Sequence, residues 1–171
     1  MKDLLHLARE SIKETVNNAV TVNLEPYKDR YNMSQGVFVT LQLNNQLRGC
    51  IGQVVSENPL WKNVYEMAKK AAFEDHRFSP VTAEEIESIK IALSILSPFE
   101  DIQTIEDIEI GKHGVMLQVA RRTAVFLPEV ATEQSWNKQQ LLENLSKKAG
   151  LEPNAYKEGH IKRFTTIKIK E

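Results

Sequence analysis

The residues with the greatest chemical potential in this chain are concentrated in one short segment. Residues 47–52 read Leu-Arg-Gly-Cys-Ile-Gly and contain Cys50, the only cysteine, together with two of the seven glycines. A thiol becomes a nucleophile when a nearby cation or backbone dipoles favour its thiolate form. Arg48 is two positions from Cys50, which on a regular strand places both side chains on one face. The segment therefore predicts a site in which Cys50 is a nucleophile or redox-active thiol and Arg48 binds an anion.

Gly49 and Gly52 support the same interpretation, because a strand without side chains lets a ligand approach its backbone closely. Their N–H groups are predicted to face the same ligand. A structural role fits the pattern as well, since free cysteine often packs as a small apolar residue and Arg48 can form an ordinary ion pair. The residues of this segment leave both interpretations open.

A cysteine nucleophile normally works with a group that takes up or returns its proton. His76 lies in residues 73–80, where acidic, imidazole and guanidinium side chains stand between two phenylalanines. His113 lies in a Gly-Lys-His-Gly turn at residues 111–114, whose glycines leave the loop accessible. We predict that His113 or His76 transfers the proton and that Arg77 contributes to substrate binding. Either histidine can equally serve as a hydrogen-bonding residue in a turn.

Composition and absent motifs exclude several classes of function. The net charge is −1 and no basic, aromatic-rich stripe occurs, which argues against nucleic-acid binding. The chain has no C-x-x-C or H-E-x-x-H zinc spacing, no Walker loop and no G-x-G-x-x-G fingerprint, so no metal and no cofactor is predicted. One cysteine cannot form an internal disulfide, and no apolar run approaches the length of a membrane span. A cytoplasmic protein without a membrane segment is therefore expected.

The elements that must position these residues follow from the spacing of apolar side chains. Helical spacing or capping residues predict helices over residues 4–20, from residue 59 to about 71, in a short stretch opened by the Thr82-x-x-Glu85 capping box, and over residues 137–149. Strand patterns cover residues 36–43, 47–55, 89–97, 115–119, 124–127 and 161–170. Asn44-Asn45 predicts a tight turn that joins the first two strands as a hairpin. Residues 127–133 are predicted to be a loop that carries two carboxylates.

Several of these motifs occur together in one known family. Segment 47–52, the Asp-His-Arg-Phe-x-Pro loop at 75–80, the Gly-Lys-His-Gly turn at 111–114, the Leu-Pro-x-Val-Ala segment that leads to Trp136, and Lys-Ala-Gly-Leu at 148–151 follow one another as in AMMECR domains. The chain resembles this family over almost its whole length. The resemblance is specific because several separate motifs agree in their order.

The resemblance implies an α/β protein of the α+β type, with a central antiparallel sheet flanked by helices and a smaller α/β lobe. It implies a single domain over residues 1–171 and marks Cys50 as the candidate catalytic or ligand-contacting residue. Bacterial and archaeal relatives are often encoded beside, or fused to, Memo-type proteins and beside radical-SAM proteins, the AmmeMemoRadiSam arrangement. Memo-type and radical-SAM proteins are therefore expected partners, and a small molecule or a peptide is the expected ligand.

Two positions depart from the family pattern. The family commonly reads Leu-Pro-Gln-Val-Ala where this chain has Glu129, so a neutral amide at a candidate substrate-binding position becomes an acceptor that is negative at pH 7. The helix before Lys-Ala-Gly-Leu often carries a cysteine, and Ser146 stands near that point. Chemistry that requires two thiols is therefore not expected.

Two hypotheses from different classes of function follow. In the first, the protein is a small enzyme that uses the Cys50 thiol on a small or peptide-borne substrate in a cleft beside the hairpin. In the second, it is a non-catalytic module that docks on a Memo-type or radical-SAM partner, with Trp61, Tyr65 and Trp136 as aromatic anchors. The reactivity of Cys50 toward alkylating reagents separates the two hypotheses.

Overall fold

The structure, a computed structural model, describes all residues from Met1 to Glu171. The helices are α1 (Asp3–Asn17), α2 (Glu25–Arg30), α3 (Leu60–Phe73), α4 (Pro128–Glu133) and α5 (Lys138–Lys148), with 3-10 helices at Ile105–Asp107 and Pro153–Glu158. The strands are β1 (Val37–Leu43), β2 (Gln46–Gln53), β3 (Lys90–Leu96), β4 (Glu100–Asp101), β5 (Gly114–Val119), β6 (Arg122–Phe126), β7 (His160–Phe164) and β8 (Thr166–Lys170). None of the helices is long and apolar enough to cross a membrane.

The chain divides into two compact units. Unit 1 comprises Met1–Leu96 and Ile167–Glu171, and unit 2 comprises Ser97–Thr166. One four-stranded sheet has the strand order β2-β1-β3-β8 and the other has the order β4-β7-β5-β6. The mixed α+β class with antiparallel sheets, which the resemblance implied, is confirmed.

In unit 1, α1 and α3 pack together and cover one face of the sheet. The helical stripe of α1 and alternate residues of β1 are completely buried, as amphipathic elements on a shared core require. These buried residues include Leu4, Ala8, Ile12, Val37, Val39 and Leu41. This packing holds the β1–β2 hairpin, and with it Cys50, against a rigid layer.

Asparagines in the left-handed conformation end α1 and turn the first hairpin. Asn18 has φ 51°, so α1 ends at Asn17 and not at residue 20 as predicted, and Val20 is left 86% exposed. Asn44 and Asn45 have φ values of 51° and 62° and connect β1 to β2. The tight turn predicted from the Asn-Asn pair is therefore formed, because asparagine tolerates this conformation.

The pairing of β1 with β2 contains a β-bulge. Gln42 pairs with Leu47, but Leu41, which precedes Gln42 in β1, pairs with Gly49. Arg48 is therefore the extra residue on β2. A bulge bends its strand and redirects the side chain of the unpaired residue.

In unit 2, α5 packs against β5 and β6. A capping box at the start of this helix forms in both directions: the Asn137 side chain accepts from the Gln140 N–H at 2.9 Å, and the Gln140 side chain accepts from the Asn137 N–H at 3.0 Å. After α5, Gly150 has φ 73° and lets the chain turn away. The core of this unit is built around Ile108, Val115, Leu117, Leu141, Leu142 and Leu145.

Three predicted elements differ in the structure. Residues 161–170 form two strands and not one, because β7 pairs with β4 and β5 whereas β8 joins the sheet of unit 1. Residues 127–133 are not a loop, because Pro128 starts α4, where its fixed φ suits the first helical turn. The segment after Thr82 makes only turns before β3 begins, although the Thr82 N–H donates to the Glu85 carboxylate at 2.8 Å.

Candidate functional site

Cys50 lies on β2, which is the edge strand of the first sheet. Its thiol is half-buried, and Sγ lies 3.3 Å from the hydroxyl oxygen of Thr40, the residue directly opposite on β1. The neighbouring Gly49 faces α3, so Cys50 points to the other face of the sheet. Ala92 and Ser94 of β3 continue that face beyond Thr40 and Phe38. The thiol therefore stands at the end of a row of small side chains.

The backbone of Cys50 is held by the loop that follows α3. Its N–H donates to Oδ2 of Asp75 at 2.9 Å, and its carbonyl oxygen accepts from Nη2 of Arg77 at 3.2 Å. The Asp75 carboxylate in turn accepts hydrogen bonds from Arg77: from Nε at 2.9 Å, from Nη2 at 2.7 Å and from the backbone N–H at 3.2 Å. The side chain of Asp75 is only 2% exposed, whereas that of Arg77 is 49% exposed. One buried carboxylate thus ties an exposed guanidinium to the strand edge at the thiol.

The charges of this pair are strongly stabilised. The Arg77 guanidinium, with further N–H donors from Cys50 and Arg77, holds the pKa of Asp75 well below its usual range despite burial. The hydrogen bonds to Asp75 raise the pKa of Arg77, and the charges of Asp75 and of a Cys50 thiolate act in the same direction. Asp75 is therefore an ionised partner of Arg77 at neutral pH and not a proton donor.

Arg48, at the bulge, is engaged with a different segment. Its Nε and Nη2 bind the Glu85 carboxylate at 2.8 and 2.9 Å, and Nη1 and Nη2 donate to the carbonyls of Ser79 and Pro80 at 2.8 and 3.3 Å. Its side chain is only 12% exposed, and it holds the pKa of Glu85 below its usual value. Every guanidinium nitrogen of Arg48 therefore has a protein partner, which is the structural ion pair of the alternative interpretation. Anion binding by Arg48 stays a prediction.

Gly49 and Gly52 are in close contact with other parts of unit 1. A Cβ on Gly49 would lie 2.1 Å from the carbonyl oxygen of Ala71 in α3. A Cβ on Gly52 would lie 2.3 Å from the ring of Phe38 on β1. Close packing is therefore sufficient to explain why both positions are glycine. Contact of these glycines with a ligand stays a prediction.

The two candidate histidines have different surroundings. His76 is exposed between Asp75 and Arg77 in unit 1. His113 belongs to unit 2, and its Nδ1 accepts the N–H of Glu109 at 3.0 Å, which leaves the proton of the neutral ring on Nε2. Burial, together with the charges of Arg163 and Lys112, lowers the pKa of His113 below its usual value. In this tautomer His113 is a hydrogen-bond donor.

The predicted site residues are distributed over both units. Unit 1 contains Arg48, Gly49, Cys50, Gly52, His76 and Arg77, whereas His113 and Glu129 belong to unit 2. Glu129 lies in the first turn of α4 and is half-buried. No group of three or more His, Cys, Asp or Glu side chains is arranged to hold a metal ion.

Thr40 and Asp75 touch Cys50 but were not predicted as site residues. Asp75 lies within the loop that carries the family resemblance, so the motif offered a signal for it. Thr40 had none, because a regular hairpin around Asn44-Asn45 pairs Cys50 with Val39. Only the bulge places Thr40 opposite the thiol.

The fold and this site define a mixed α+β protein whose single thiol lies on a sheet edge beside an aspartate–arginine pair. The chain belongs to the AMMECR1 family, whose sequence model matches residues 5–169. It is similar to a protein of Aquifex aeolicus, with 32% identity over 96% of this chain and 88% of that protein. A protein of Methanopyrus kandleri is 35% identical over 88% of this chain and 77% of that protein.

A solved structure has the same fold. The crystal structure of an uncharacterised protein from Pyrococcus horikoshii superposes with a TM-score of 0.86 at 29% sequence identity. The similarity covers 98% of this chain and 89% of that chain. The α+β fold is therefore shared with this archaeal relative.

Proposed function

We propose that this AMMECR1-family protein is an enzyme that uses Cys50 as a nucleophile toward a small or peptide-borne substrate with an anionic group. The observation that carries the proposal is the position of Arg77. Its Nη2 is bound to the Cys50 carbonyl while Nη1 donates no hydrogen bond within the protein. An exposed guanidinium held at the peptide group of Cys50 attracts an anion to the site of the thiol.

The reaction class that suits this arrangement is acyl transfer through a thioester. The Cys50 thiolate attacks the carbonyl carbon of an ester or thioester, and the leaving group departs with the bonding electrons and takes up a proton. Water then hydrolyses the acyl-cysteine, which releases the carboxylic acid and restores the thiol. The Thr40 hydroxyl, 3.3 Å from Sγ, donates a hydrogen bond to the thiolate. His76, which lies between Asp75 and Arg77 in unit 1, is the proposed proton-transfer residue.

A pair of activated esters tests this proposal. p-Nitrophenyl hemisuccinate carries a carboxylate, and p-nitrophenyl butyrate is its neutral control. We expect a burst of p-nitrophenolate, with an acyl adduct on Cys50 in the mass spectrum, and faster reaction of the anionic ester. Cys50→Ser should abolish the burst. Arg77→Gln should lower the ratio of the rates for the anionic and the neutral ester roughly fivefold, which is the effect of one screened charge pair. Absence of a Cys50 adduct, or unchanged hydrolysis by Cys50→Ser, would contradict the proposal.

Docking on a Memo-type or radical-SAM protein is the alternative. Two of its three predicted anchors are engaged internally, because the Tyr65 hydroxyl binds Glu14 and the Trp136 ring packs on Phe126 with centroids 5.6 Å apart. A Cys50→Ser variant that still captures such a partner, together with an unreactive native thiol, would favour docking over catalysis. A cytoplasmic location, where a free thiol stays reduced, belongs to the enzyme proposal.

A further inference from the structure

We infer that Asp75 is a positioning residue, which fixes Arg77 so that Nη1 is presented beside Cys50 to an anionic group of the substrate. The inference rests on the proposed use of Cys50 and Arg77, and it adds Asp75, which was not among the predicted site residues. Carboxylate and phosphate groups share the chemistry that a guanidinium nitrogen recognises.

Asp75 and Arg77 are joined by a two-point contact. Asp75 uses both carboxylate oxygens on Arg77, Oδ1 toward Nε at 2.9 Å and Oδ2 toward Nη2 at 2.7 Å. This side-on, two-point pairing fixes the plane of the guanidinium as well as its position. An exposed arginine without such a partner would sample many rotamers.

Asp75 is itself anchored to the backbone of Cys50. The Cys50 N–H donates to Oδ2 at 2.9 Å, so the same oxygen that binds Arg77 is tied to the backbone of the nucleophile. Nη2 of Arg77 closes the ring through the Cys50 carbonyl at 3.2 Å. The guanidinium, the carboxylate and the peptide groups of Cys50 therefore form one hydrogen-bonded network. This network fixes the position of the guanidinium relative to Cys50.

One nitrogen of the Arg77 guanidinium remains available to a ligand. Nε and Nη2 donate to Asp75 and Cys50, whereas Nη1 donates no hydrogen bond within the protein, and the guanidinium carbon lies 5.5 Å from the centroid of the Phe78 ring. Arg77 therefore offers a ligand one nitrogen, and a substrate carboxylate or phosphate would accept hydrogen bonds from Nη1 alone. Asp75 lies behind the guanidinium and is almost fully buried, so it has no contact with the substrate in this arrangement.

A positioning role and a purely electrostatic role of Asp75 predict opposite changes in the reactivity of Cys50 toward anions when Asp75 is replaced by asparagine. If Asp75 acts only through its charge, its removal leaves a net positive site and anions approach Cys50 more readily. If Asp75 positions Arg77, its removal releases the guanidinium and anions lose their binding partner. The sign of the change therefore identifies the role.

Alkylation of the native, full-length protein measures this sign directly. Cys50 is the only cysteine, so every alkylation event reports on this site. The readout is the ratio of the second-order rate constants for iodoacetate, an anion, and iodoacetamide, its neutral analogue. Both reagents react with the same thiolate, so changes in the thiolate fraction cancel in the ratio. We expect Arg77→Gln and Asp75→Asn each to lower the ratio by about two- to tenfold, the range of one charge contact in partly exposed surroundings.

Glu85→Gln is the matched control, because it removes the carboxylate from the Arg48 pair in the same unit and should leave the ratio unchanged. Circular dichroism establishes that each variant is folded. If Asp75→Asn does not fold, Asp75→Glu retains the charge but displaces the carboxylate, and it should also lower the ratio. A ratio that rises or stays at the wild-type value in the folded Asp75 variant overturns the inference.

This experiment is independent of turnover. If the ratio falls in Asp75→Asn while Cys50→Ser keeps full ester hydrolysis, the positioning role stands and the enzyme proposal fails. If Cys50→Ser loses hydrolysis while the ratio is unchanged in Asp75→Asn, the enzyme proposal stands and the positioning role fails.

Discussion

At Gly49 the backbone of β2 lies directly against α3. The nearest atom to a Cβ at this position would be the Ala71 carbonyl oxygen, at 2.1 Å, and a helix backbone cannot yield as a flexible side chain does. The helix and the strand thus approach each other as closely as two backbones allow. Gly49 therefore fixes the distance between the thiol-bearing strand and the helical layer.

Replacement of Gly49 by alanine should destabilise the protein. The added methyl group must separate β2 from α3, and overpacking of this kind costs about 1–3 kcal/mol of unfolding free energy. Urea denaturation monitored by circular dichroism measures the loss. Cys50→Ala is the control, because the side chain at this adjacent position points to the other face of the sheet, and it should cost less unfolding free energy. Equal losses for the two variants would contradict this packing role.

At the scale of elements, both sheets protect an edge strand with charged side chains. The Asp75–Arg77 pair occupies the outward N–H and carbonyl of Cys50 on β2. On β6, the edge of the second sheet, Nζ of Lys148 donates to the Val125 carbonyl at 2.7 Å and lies 4.6 Å from the centroid of the Phe126 ring. Burial lowers the pKa of Lys148. Occupied edges of this kind prevent pairing with strands of other molecules.

Ser146 connects α5 to the 3-10 helix Pro153–Glu158. It is completely buried, donates its hydroxyl to the Leu142 carbonyl at 3.0 Å and accepts the Tyr156 N–H at 3.1 Å. The hydroxyl thus satisfies a backbone donor that has no access to water. Ser146 therefore has a structural role in this protein.

Ser146→Ala should cost about 1–3 kcal/mol of unfolding free energy, because the Tyr156 N–H loses its acceptor in a buried position. Ser11→Ala is the matched control, since Ser11 is equally buried but only donates its hydroxyl, to the Ala8 carbonyl at 2.8 Å. Thermal and urea denaturation of both variants provide the comparison. A loss for Ser146→Ala no larger than that for Ser11→Ala would disprove the bridging role.

For the molecule as a whole, buried carboxylates determine the response to acid. Burial acts to raise the pKa of Glu14, but hydrogen bonds from Tyr65, Val22 and Thr21 lower it below its usual 4.5. Arg77 and the N–H donors at Cys50 and Arg77 keep the pKa of Asp75 well below 3.8. Both groups are ionised in the folded protein, so each stabilises it above the pKa of the unfolded chain. This contribution is lost as the pH falls through the lower, folded-state pKa.

We therefore expect the unfolding free energy to decline once the pH drops below about 4.5, the ordinary value for Glu14. Glu14→Gln should flatten the upper part of this decline, and Asp75→Asn should flatten the part below 3.8. Urea titrations at a series of pH values between neutrality and strong acid measure the slopes. Slopes in both variants identical to that of the wild type would show that other carboxylates control acid stability.

Local structure was largely predictable because it depends on near neighbours in the chain. The Asn44-Asn45 turn, the Asn137–Gln140 cap and the apolar stripes of α1 and α5 follow from residues a few positions apart. The end of β7 was not predictable, because residues 161–170 alternate without interruption. Which sheet each half joins depends on partners more than 40 residues away in the chain, an interaction that local spacing does not encode.

The sequence by itself determined the family, the hairpin that carries Cys50 and the loop that supplies Arg77. Only the tertiary structure decided which face the thiol occupies and which arginine contacts the backbone of Cys50. A bulge at Arg48 shifts the pairing by one residue, and because side chains alternate with a period of two, that shift exchanges Val39 for Thr40 opposite Cys50. The same bulge sends Arg48 to Glu85 and leaves the strand edge to Asp75 and Arg77, which are distant in sequence and meet Cys50 only in the folded chain.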